Sequence, residues 1–246
     1  MRVEGHDAVL LVTIDRPERR NAVDPETAAA LRGAFRDFDA DPDLHVAVLT
    51  GADGHFCAGA DLKALAGGAQ FAVGDESDGP MGPTRMRLGK PVIAAIEGYC
   101  VAGGLELALW CDLRVAARDA VLGVFNRRFG VPLIDMGTVR LARIAGQGLA
   151  MDMILTGRPV GADEAARHGL VNRLVDPGAA LAEAMELASS IAAFPQAGLR
   201  NDRLSLLEQW GLGEDMAAAN ELRRGLETIA SGEPVSGARR FAGSKD

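Results

Sequence analysis

The stretch Gly98–Asp112, GYCVAGGLELALWCD, decides the fold around it, because it joins an apolar strand to a helix through a run of glycines. The preceding segment, Pro91–Ile96, is continuously apolar, which predicts a buried strand. After Gly104, the run Leu105–Trp110 is apolar except for Glu106. We therefore expect the first turns of the helix to be buried. A buried carboxylate is costly unless it is paired or used in chemistry.

Two interpretations of this junction follow from its residues. A helix N-terminus presents unpaired N–H groups and a partial positive charge, which suit a developing anion. With Glu106 beside them, such groups would stabilise an oxyanion and transfer a proton. Alternatively, the glycines permit a tight strand-to-helix turn, and Glu106 is a carboxylate with a structural partner. This stretch alone leaves both interpretations open.

The composition indicates an α/β protein with one large domain, or a core with a small appendage. The chain has 246 residues, of which 48% are apolar and 24% charged, with 30 Gly and a net charge of −8. The sequence contains no Lys/Arg-rich run, which argues against nucleic acid as the principal partner. Its three Cys lie in apolar surroundings and are expected to be free thiols. With no signal-peptide pattern and no apolar stretch long enough for a membrane, we expect a cytoplasmic location.

The order of elements predicts three regions. Strands alternate with helices through residue 125, which indicates β-α-β units, and from Thr138 the pattern is helical apart from a strand at Leu170–Val175. We assign residues 1–190 to an α/β core, 191–230 to a helical C-terminal region and 231–246 to a flexible tail. The Gly-rich segment 67–89 is interpreted as a mobile loop, either a lid or a disordered surface insertion, with at most one short helix near Thr84–Leu88.

Several catalytic motifs are absent from the sequence. The four His are isolated, with no His-Glu-x-x-His and no Cys-x-x-Cys, so no metal site is expected. No Gly-x-Ser-x-Gly elbow and no P-loop occur. The remaining chemistry is that of carboxylates and backbone N–H groups. A second Gly-rich turn, His55–Lys63, also lies between a strand and a possible helix, so two turns could direct two N–H groups at one point.

In combination these motifs resemble the crotonase superfamily, also called the enoyl-CoA hydratase/isomerase family, from about Ala8 to Val175. The segments that carry the resemblance are Arg20–Ala22, Phe56–Lys63, Lys90–Tyr99, Ala102–Leu107 and Cys111–Arg114. The resemblance implies stacked β-β-α units followed by a helical C-terminal region, the 191–230 segment being the site of oligomerisation. It implies a homotrimer or a dimer of trimers. It also implies an acyl-CoA thioester as ligand, with coenzyme A as part of the substrate and no separate cofactor.

The resemblance also assigns roles to residues. By position, the N–H groups of Ala58 and Gly103 would bind the thioester oxygen, and Glu106 would be a catalytic base or water-activating group. Arg20 and Lys63 are candidate phosphate partners or, equally, solvated surface charges. The residues expected along coenzyme A and the substrate are Arg20, Ala22, Gly59, Ala60, Asp61, Leu62 and Lys63.

One position departs from the family pattern. A second catalytic Glu is expected after Phe125, and this chain has Asn126, which can hold water but cannot exchange a proton at neutral pH. Asp135 lies nine residues further on, in a setting similar to that of dienoyl-CoA isomerases, and is the candidate second acid/base. Its alternative role is an N-cap for the following helix.

Hydration of 2-enoyl-CoA is therefore the leading expectation for the reaction. Double-bond isomerisation of an enoyl- or dienoyl-CoA is the alternative, because one carboxylate is enough to move one proton. A non-catalytic acyl-CoA-binding protein is the alternative of another class.

Overall fold

The computed structural model describes residues 1–74 and 78–243, in which helices surround two β-sheets. The α/β composition and the helical C-terminal region agree with the sequence-based expectation. The strands are β1 (Arg2–His6), β2 (Val9–Ile14), β3 (Val46–Gly51), β4 (Val92–Ile96), β5 (Tyr99–Val101), β6 (Leu113–Ala117), β7 (Val121–Gly123), β8 (Val160–Gly161) and β9 (Arg173–Val175). The α-helices are α1 (Pro25–Ala40), α2 (Leu62–Ala66), α3 (Gly103–Trp110), α4 (Gly137–Ala145), α5 (Gln147–Thr156), α6 (Ala162–Arg167), α7 (Ala180–Ala192), α8 (Gln196–Glu208), α9 (Glu214–Ala230) and α10 (Glu233–Gly243).

The larger sheet has six strands in the order β1-β2-β3-β4-β6-β9. All neighbours are parallel except β1, which pairs antiparallel with β2. Alternate residues of the central strands enter two separate apolar clusters, so Leu49 faces one side of the sheet and Val48 the other. Burial on both faces explains why these strands read as continuous apolar runs, as parallel sheets do.

Helix α7 covers one face of this sheet with small side chains. Ala180, Ala184 and Ala188 are fully buried at intervals of four residues and lie in one cluster with Val46 and Ile93. Spacing by four places them on one side of the helix, where methyl side chains allow a close approach to the strands. The remaining core, including α1 and α3, packs on the opposite face.

The smaller sheet, β5-β7-β8, brings the two Gly-rich turns together. The N–H of Phe56 donates to the carbonyl of Glu97 at 2.8 Å, and the N–H of Cys57 donates to that of Tyr99 at 2.9 Å. The N–H of Val101 donates back to the Cys57 carbonyl at 3.1 Å. The loop that follows β3 is therefore held along β5, immediately before the start of α3.

Part of the segment 67–89, predicted as a mobile loop, is packed against the core, whereas residues 67–74 are exposed or partly exposed. Residues 80–84 are buried, and backbone bonds from Gly82 N to Gly79 O and from Arg85 N to Asp78 O close a compact turn. No helix forms at Thr84–Leu88, where the structure has turns and extended backbone. Residues 75–77 of this segment lie outside the described residues.

The C-terminal tail also differs in secondary structure from the expectation. Helix α10 covers Glu233–Gly243, and residues 244–246 lie outside the described part of the chain. Its start is anchored, since the Glu233 carboxylate accepts from the N–H groups of Ala197 and Gly198 at 2.9 and 3.0 Å. Among the described helices, none combines the length and the apolar character that a membrane crossing requires.

Candidate active site

A cavity of about 480 Å³ lies against the N-terminus of α3. Its walls come from α2 and the chain after it, the turn near Met81, the start of α3, and the segment 125–135. Most of the side chains that line it are apolar. The residues of the sequence-predicted site that line it are Ala58, Ala60, Leu62, Gly103, Glu106, Asn126 and Asp135.

Ala58 does not fit its expected role as an oxyanion donor. It lines the cavity, but its N–H donates to the carbonyl of Arg20 at 3.0 Å and is therefore occupied. The neighbouring N–H groups of Cys57 and Gly59 are also used, by Tyr99 O and by Cys57 Sγ. The assignment of Ala58, which the family resemblance implied by position, was wrong because position in the motif does not show which way each N–H in the turn points.

Ala60 supplies an available N–H that lies beside the start of α3. In its parallel bridge with Val23, the carbonyl of Gly59 and the N–H of Asp61 face Val23, so the Ala60 N–H points to the opposite side. Among the described residues it donates no hydrogen bond. Gly59, at φ +96°, lies so close to α3 that a Cβ there would be 2.9 Å from Gly103 N. Ala60 and Gly103 therefore lie close together at the cavity wall, and neither N–H donates to a described residue.

The start of α3 is fixed by an unusual backbone conformation. Ala102 has φ 53° and ψ −127°, which are rare for a residue with a side chain and cost of order 1–3 kcal/mol. Its N–H donates to the carbonyl of Gly123 at 2.8 Å, and its carbonyl accepts from Glu106 N at 3.2 Å. This geometry makes Gly103 the first residue of the helix, whose N–H has no acceptor within the helix.

Glu106 lies in the first turn of α3 and is only 3% exposed. Its Oε1 accepts from the N–H groups of Asp135 and Gly137, both at 2.9 Å. Because Gly137 begins α4, the carboxylate also faces the positive end of that helix. The second oxygen, Oε2, accepts no hydrogen bond from the described residues, so a proton on Glu106 is placed there.

Asp135 is brought to the same cavity, and it does not cap α4. The N-cap position of that helix is Met136, without a side-chain hydrogen bond. The Asp135 carboxylate instead accepts, at Oδ1, from the Met81 N–H at 3.0 Å and from the Thr84 hydroxyl. The structure therefore makes Asp135 part of the cavity wall, 3% exposed, next to Glu106.

The two carboxyl groups influence each other. Burial, reinforced by the negative charge of Asp135, raises the pKa of Glu106 from 4.5 to about 8. Burial also raises the pKa of Asp135, while its bonds from Thr84 and Met81 oppose the rise. The Arg140 guanidinium lies near both, and burial lowers its own pKa to about 10. Burial and mutual repulsion therefore favour a shared proton in this pair, and the larger shift is that of Glu106.

Asn126 faces the cavity with an unsatisfied acceptor. It is 6% exposed, and its Nδ2 donates to the Val131 carbonyl at 2.7 Å. Its Oδ1 is buried and accepts no hydrogen bond from the described residues. The bond to Val131 fixes the orientation of the amide, because a flipped amide would set two oxygens against each other. Asn126 is therefore held in one orientation at the cavity wall, with an acceptor left over.

The remaining predicted ligand residues lie away from the cavity lining. Arg20 is exposed and lies over the Tyr99 ring at 5.2 Å, and Lys63 is exposed on α2. Asp61 has a structural role, because it caps α2 and pairs with Arg16 at 3.1 Å, contacts that hold its pKa down against the effect of burial. Ala22 is buried beside it. Among the described residues, no three His, Cys, Asp or Glu side chains cluster as a metal site would require.

Sequence reasoning missed several residues that shape the site, and four of them stand out. Met81 and Thr84 hold Asp135, although their segment has the composition of a loop. Phe125 and Phe129 form an aromatic wall on either side of Asn126. The signal for the phenylalanines was their adjacency to Asn126, whereas nothing local in the sequence indicates the contacts of Met81 and Thr84.

Comparison with known proteins identifies similar chains. The family model described as enoyl-CoA hydratase/isomerase matches residues 4–229. The chain is 37% identical over 248 residues to enoyl-CoA hydratase EchA19 of Mycobacterium tuberculosis, covering 98% of this chain and 92% of that protein. It is 38% identical to (E)-benzylidenesuccinyl-CoA hydratase of Thauera aromatica, covering 88% and 83%. The crystal structure of enoyl-CoA hydratase EchA1 from Mycobacterium marinum superposes with a TM-score of 0.93 at 39% identity, covering 98% and 94%.

Proposed function

We propose that this chain, which belongs to the enoyl-CoA hydratase/isomerase family, hydrates the double bond of a 2-enoyl-CoA thioester. The observation that carries the proposal is the pair of free N–H groups, of Ala60 and Gly103, beside the buried carboxyl of Glu106. A thioester oxygen bound by both would gain stabilisation as it becomes an enolate. Each such donor contributes about 2.7–4 kcal/mol to the transition state in comparable sites.

The addition of water needs one carboxyl group that accepts a proton and one that donates a proton, and the pair Asp135 and Glu106 can supply both. With the thioester oxygen held, the oxygen of water bonds to C3 while ionised Asp135 takes its proton at Oδ2. The electrons of the C2–C3 double bond move into the enolate, and protonated Glu106 then delivers its proton from Oε2 to C2. Proton exchange between the two carboxyls restores the starting state. The elevated pKa of Glu106 supports its role as the donor.

Asn126 contributes positioning in this scheme. Its unpaired Oδ1 accepts a hydrogen bond from the attacking water and afterwards from the 3-hydroxyl of the product. It exchanges no proton, which leaves Asp135 as the partner of Glu106.

Isomerisation is the second candidate, and the observation that favours it is the same amide at position 126. The two carboxyl groups could move a proton along the acyl chain without binding water. Crotonyl-CoA, a 3-enoyl-CoA and a 3,5-dienoyl-CoA distinguish the two reactions. Water addition to crotonyl-CoA faster than any double-bond shift supports hydration, whereas a double-bond shift alone assigns the isomerase. Tight acyl-CoA binding without turnover of any thioester assigns the non-catalytic alternative.

The proposed roles are tested with two isosteric variants. Glu106→Gln and Asp135→Asn keep the shape of the site and remove one exchangeable proton each, so each is expected to lower turnover at least 100-fold. The matched controls are Glu186→Gln and Asp119→Asn, which remove exposed carboxylates. Full activity of Glu106→Gln would contradict the mechanism.

The surface outside the cavity supports two further expectations from the family. Arg20 and Lys63 are exposed cations near the loop that carries Ala60, where they could meet the phosphates of coenzyme A. The C-terminal helices expose large apolar side chains that a second copy of the chain would cover in a trimer. These side chains include Leu206, Met216, Leu222 and Ile229.

A further inference from the structure

We propose that Thr84 is a positioning residue of the active site, which fixes the Asp135 carboxyl so that Oδ2 alone exchanges a proton. The inference rests on the proposed function, because it assumes that Asp135 takes part in proton transfer. It assigns a role to the turn Gly79–Thr84, a segment whose composition suggests only a surface loop.

The contacts between this turn and Asp135 are specific. Both the Met81 N–H and the Thr84 hydroxyl donate to Oδ1, and Thr84 is fully buried. Among the described residues, Oδ2 accepts no hydrogen bond. Since two donors already face Oδ1, a proton on Asp135 is placed on Oδ2.

The turn is shaped around this carboxyl group. Gly79 has φ +115°, which side chains rarely allow, and a Cβ there would lie 2.1 Å from Thr84 Oγ1 and 2.9 Å from Asp135 Oδ1. Backbone bonds from Gly82 N to Gly79 O at 2.9 Å and from Arg85 N to Asp78 O at 2.8 Å close the turn. Glycine at position 79 thus leaves room for the hydroxyl and the carboxyl to meet.

Three other titratable groups lie near Asp135. Glu106 of α3 receives the Asp135 N–H, and its raised pKa keeps it neutral at pH 7. Arg85, within the turn, and Arg140, on α4, both favour the ionised form of Asp135. Burial opposes ionisation more strongly than any single partner. Without the Thr84 hydroxyl this balance moves toward the protonated acid, which cannot accept a proton from water.

The test compares Thr84→Val with Thr84→Ser. Valine keeps the shape and removes the donor, so the acid limb of the pH profile of kcat/KM is expected to move up by about 1–2 pH units. At pH values below the shifted limb, turnover of Thr84→Val should be at least tenfold lower than that of the wild type, and KM should change little. Thr84→Ser retains the hydroxyl and should keep the wild-type profile. If Thr84→Val does not fold, Thr84→Ala provides the same comparison.

Thr50→Val is the matched control, because Thr50 is also buried and donates its hydroxyl to a backbone carbonyl, that of Ala95, at 3.0 Å. It should lower stability without moving the pH profile. The protonation of Asp135 can also be followed without turnover, by an infrared titration of the carboxyl band in which the spectrum of Asp135→Asn is subtracted from that of the wild type. The same titration of Thr84→Val should show the same upward shift.

An unchanged profile and unchanged carboxyl titration in Thr84→Val would overturn the inference. The proposed function fails separately, if Asp135→Asn retains full turnover whatever the behaviour of Thr84.

Discussion

Replacing Glu106 with Gln should stabilise the protein while removing its activity. In the folded protein the pKa of Glu106 is raised to about 8, against 4.5 for the ordinary group, chiefly by burial. Above pH 4.5 the unfolded chain releases this proton while the folded protein keeps it. Unfolding is therefore favoured increasingly as pH rises, by about 1.4 kcal/mol per pH unit, until the folded protein also releases the proton near pH 8.

The gain in stability of Glu106→Gln follows from the difference between the pKa of Glu106 in the folded protein, about 8, and that of the ordinary group, 4.5. Gln has no proton to release, and its Oε1 can still accept from the N–H groups of Asp135 and Gly137. The variant should thus differ from the wild type by less than about 1 kcal/mol at pH 5 and be more stable by about 3 kcal/mol at pH 7.

Urea unfolding at fixed protein concentration, followed by far-UV circular dichroism at pH 5, 6 and 7, measures this difference. Glu186→Gln, which removes an exposed carboxylate, is the control and should change stability little at any of these pH values. The reasoning is refuted if the free energy difference for Glu106→Gln does not change with pH, or if the variant is less stable than wild type at pH 7.

Three further variants test separate parts of the structure. Ala60→Pro removes an N–H that donates to none of the described residues, so kcat should fall about 10²–10³-fold; near-normal kcat would exclude Ala60 as a donor. Asn126→Ala removes the unpaired Oδ1, and kcat/KM should fall about tenfold at every pH, whereas a shifted pH profile would mean that Asn126 acts on the carboxyl groups instead. Arg114→Met should cost about 3–5 kcal/mol in urea unfolding, because this buried guanidinium donates to the carbonyls of Ala108, Cys111 and Leu170; a loss below 1 kcal/mol would contradict that role.

Sequence patterns were sufficient for most of the fold. The continuous apolar run Pro91–Ile96 predicted a buried strand, and the structure has the fully buried strand β4 at Val92–Ile96. Strand β1 was missed because Arg2–His6 is exposed along its length and has no apolar periodicity. Only its pairing with β2 makes it a strand.

The sequence was sufficient to predict where the site lies, but not which backbone N–H groups are free or which side chains contact Asp135. The family resemblance assigned Gly103, Glu106 and the loop before α2 to one site and offered Asp135 as a further acid/base, and the structure places all of them at one cavity. Which N–H is free depends on the bridge between Val23 and Ala60, a long-range pairing that spacing does not reveal. The order of the turn at Thr84 depends likewise on Asp135, 51 residues away.

We propose that Ala60 and Gly103 hold the thioester oxygen beside Glu106 and Asp135. A crystal structure with a bound 3-hydroxyacyl-CoA measures this directly. We expect the thioester oxygen about 2.7–3.1 Å from both N atoms, and the 3-hydroxyl within hydrogen-bond distance of Asp135 Oδ2 and Asn126 Oδ1. A thioester oxygen bound elsewhere, with the Ala60 and Gly103 N–H groups unoccupied, would contradict it.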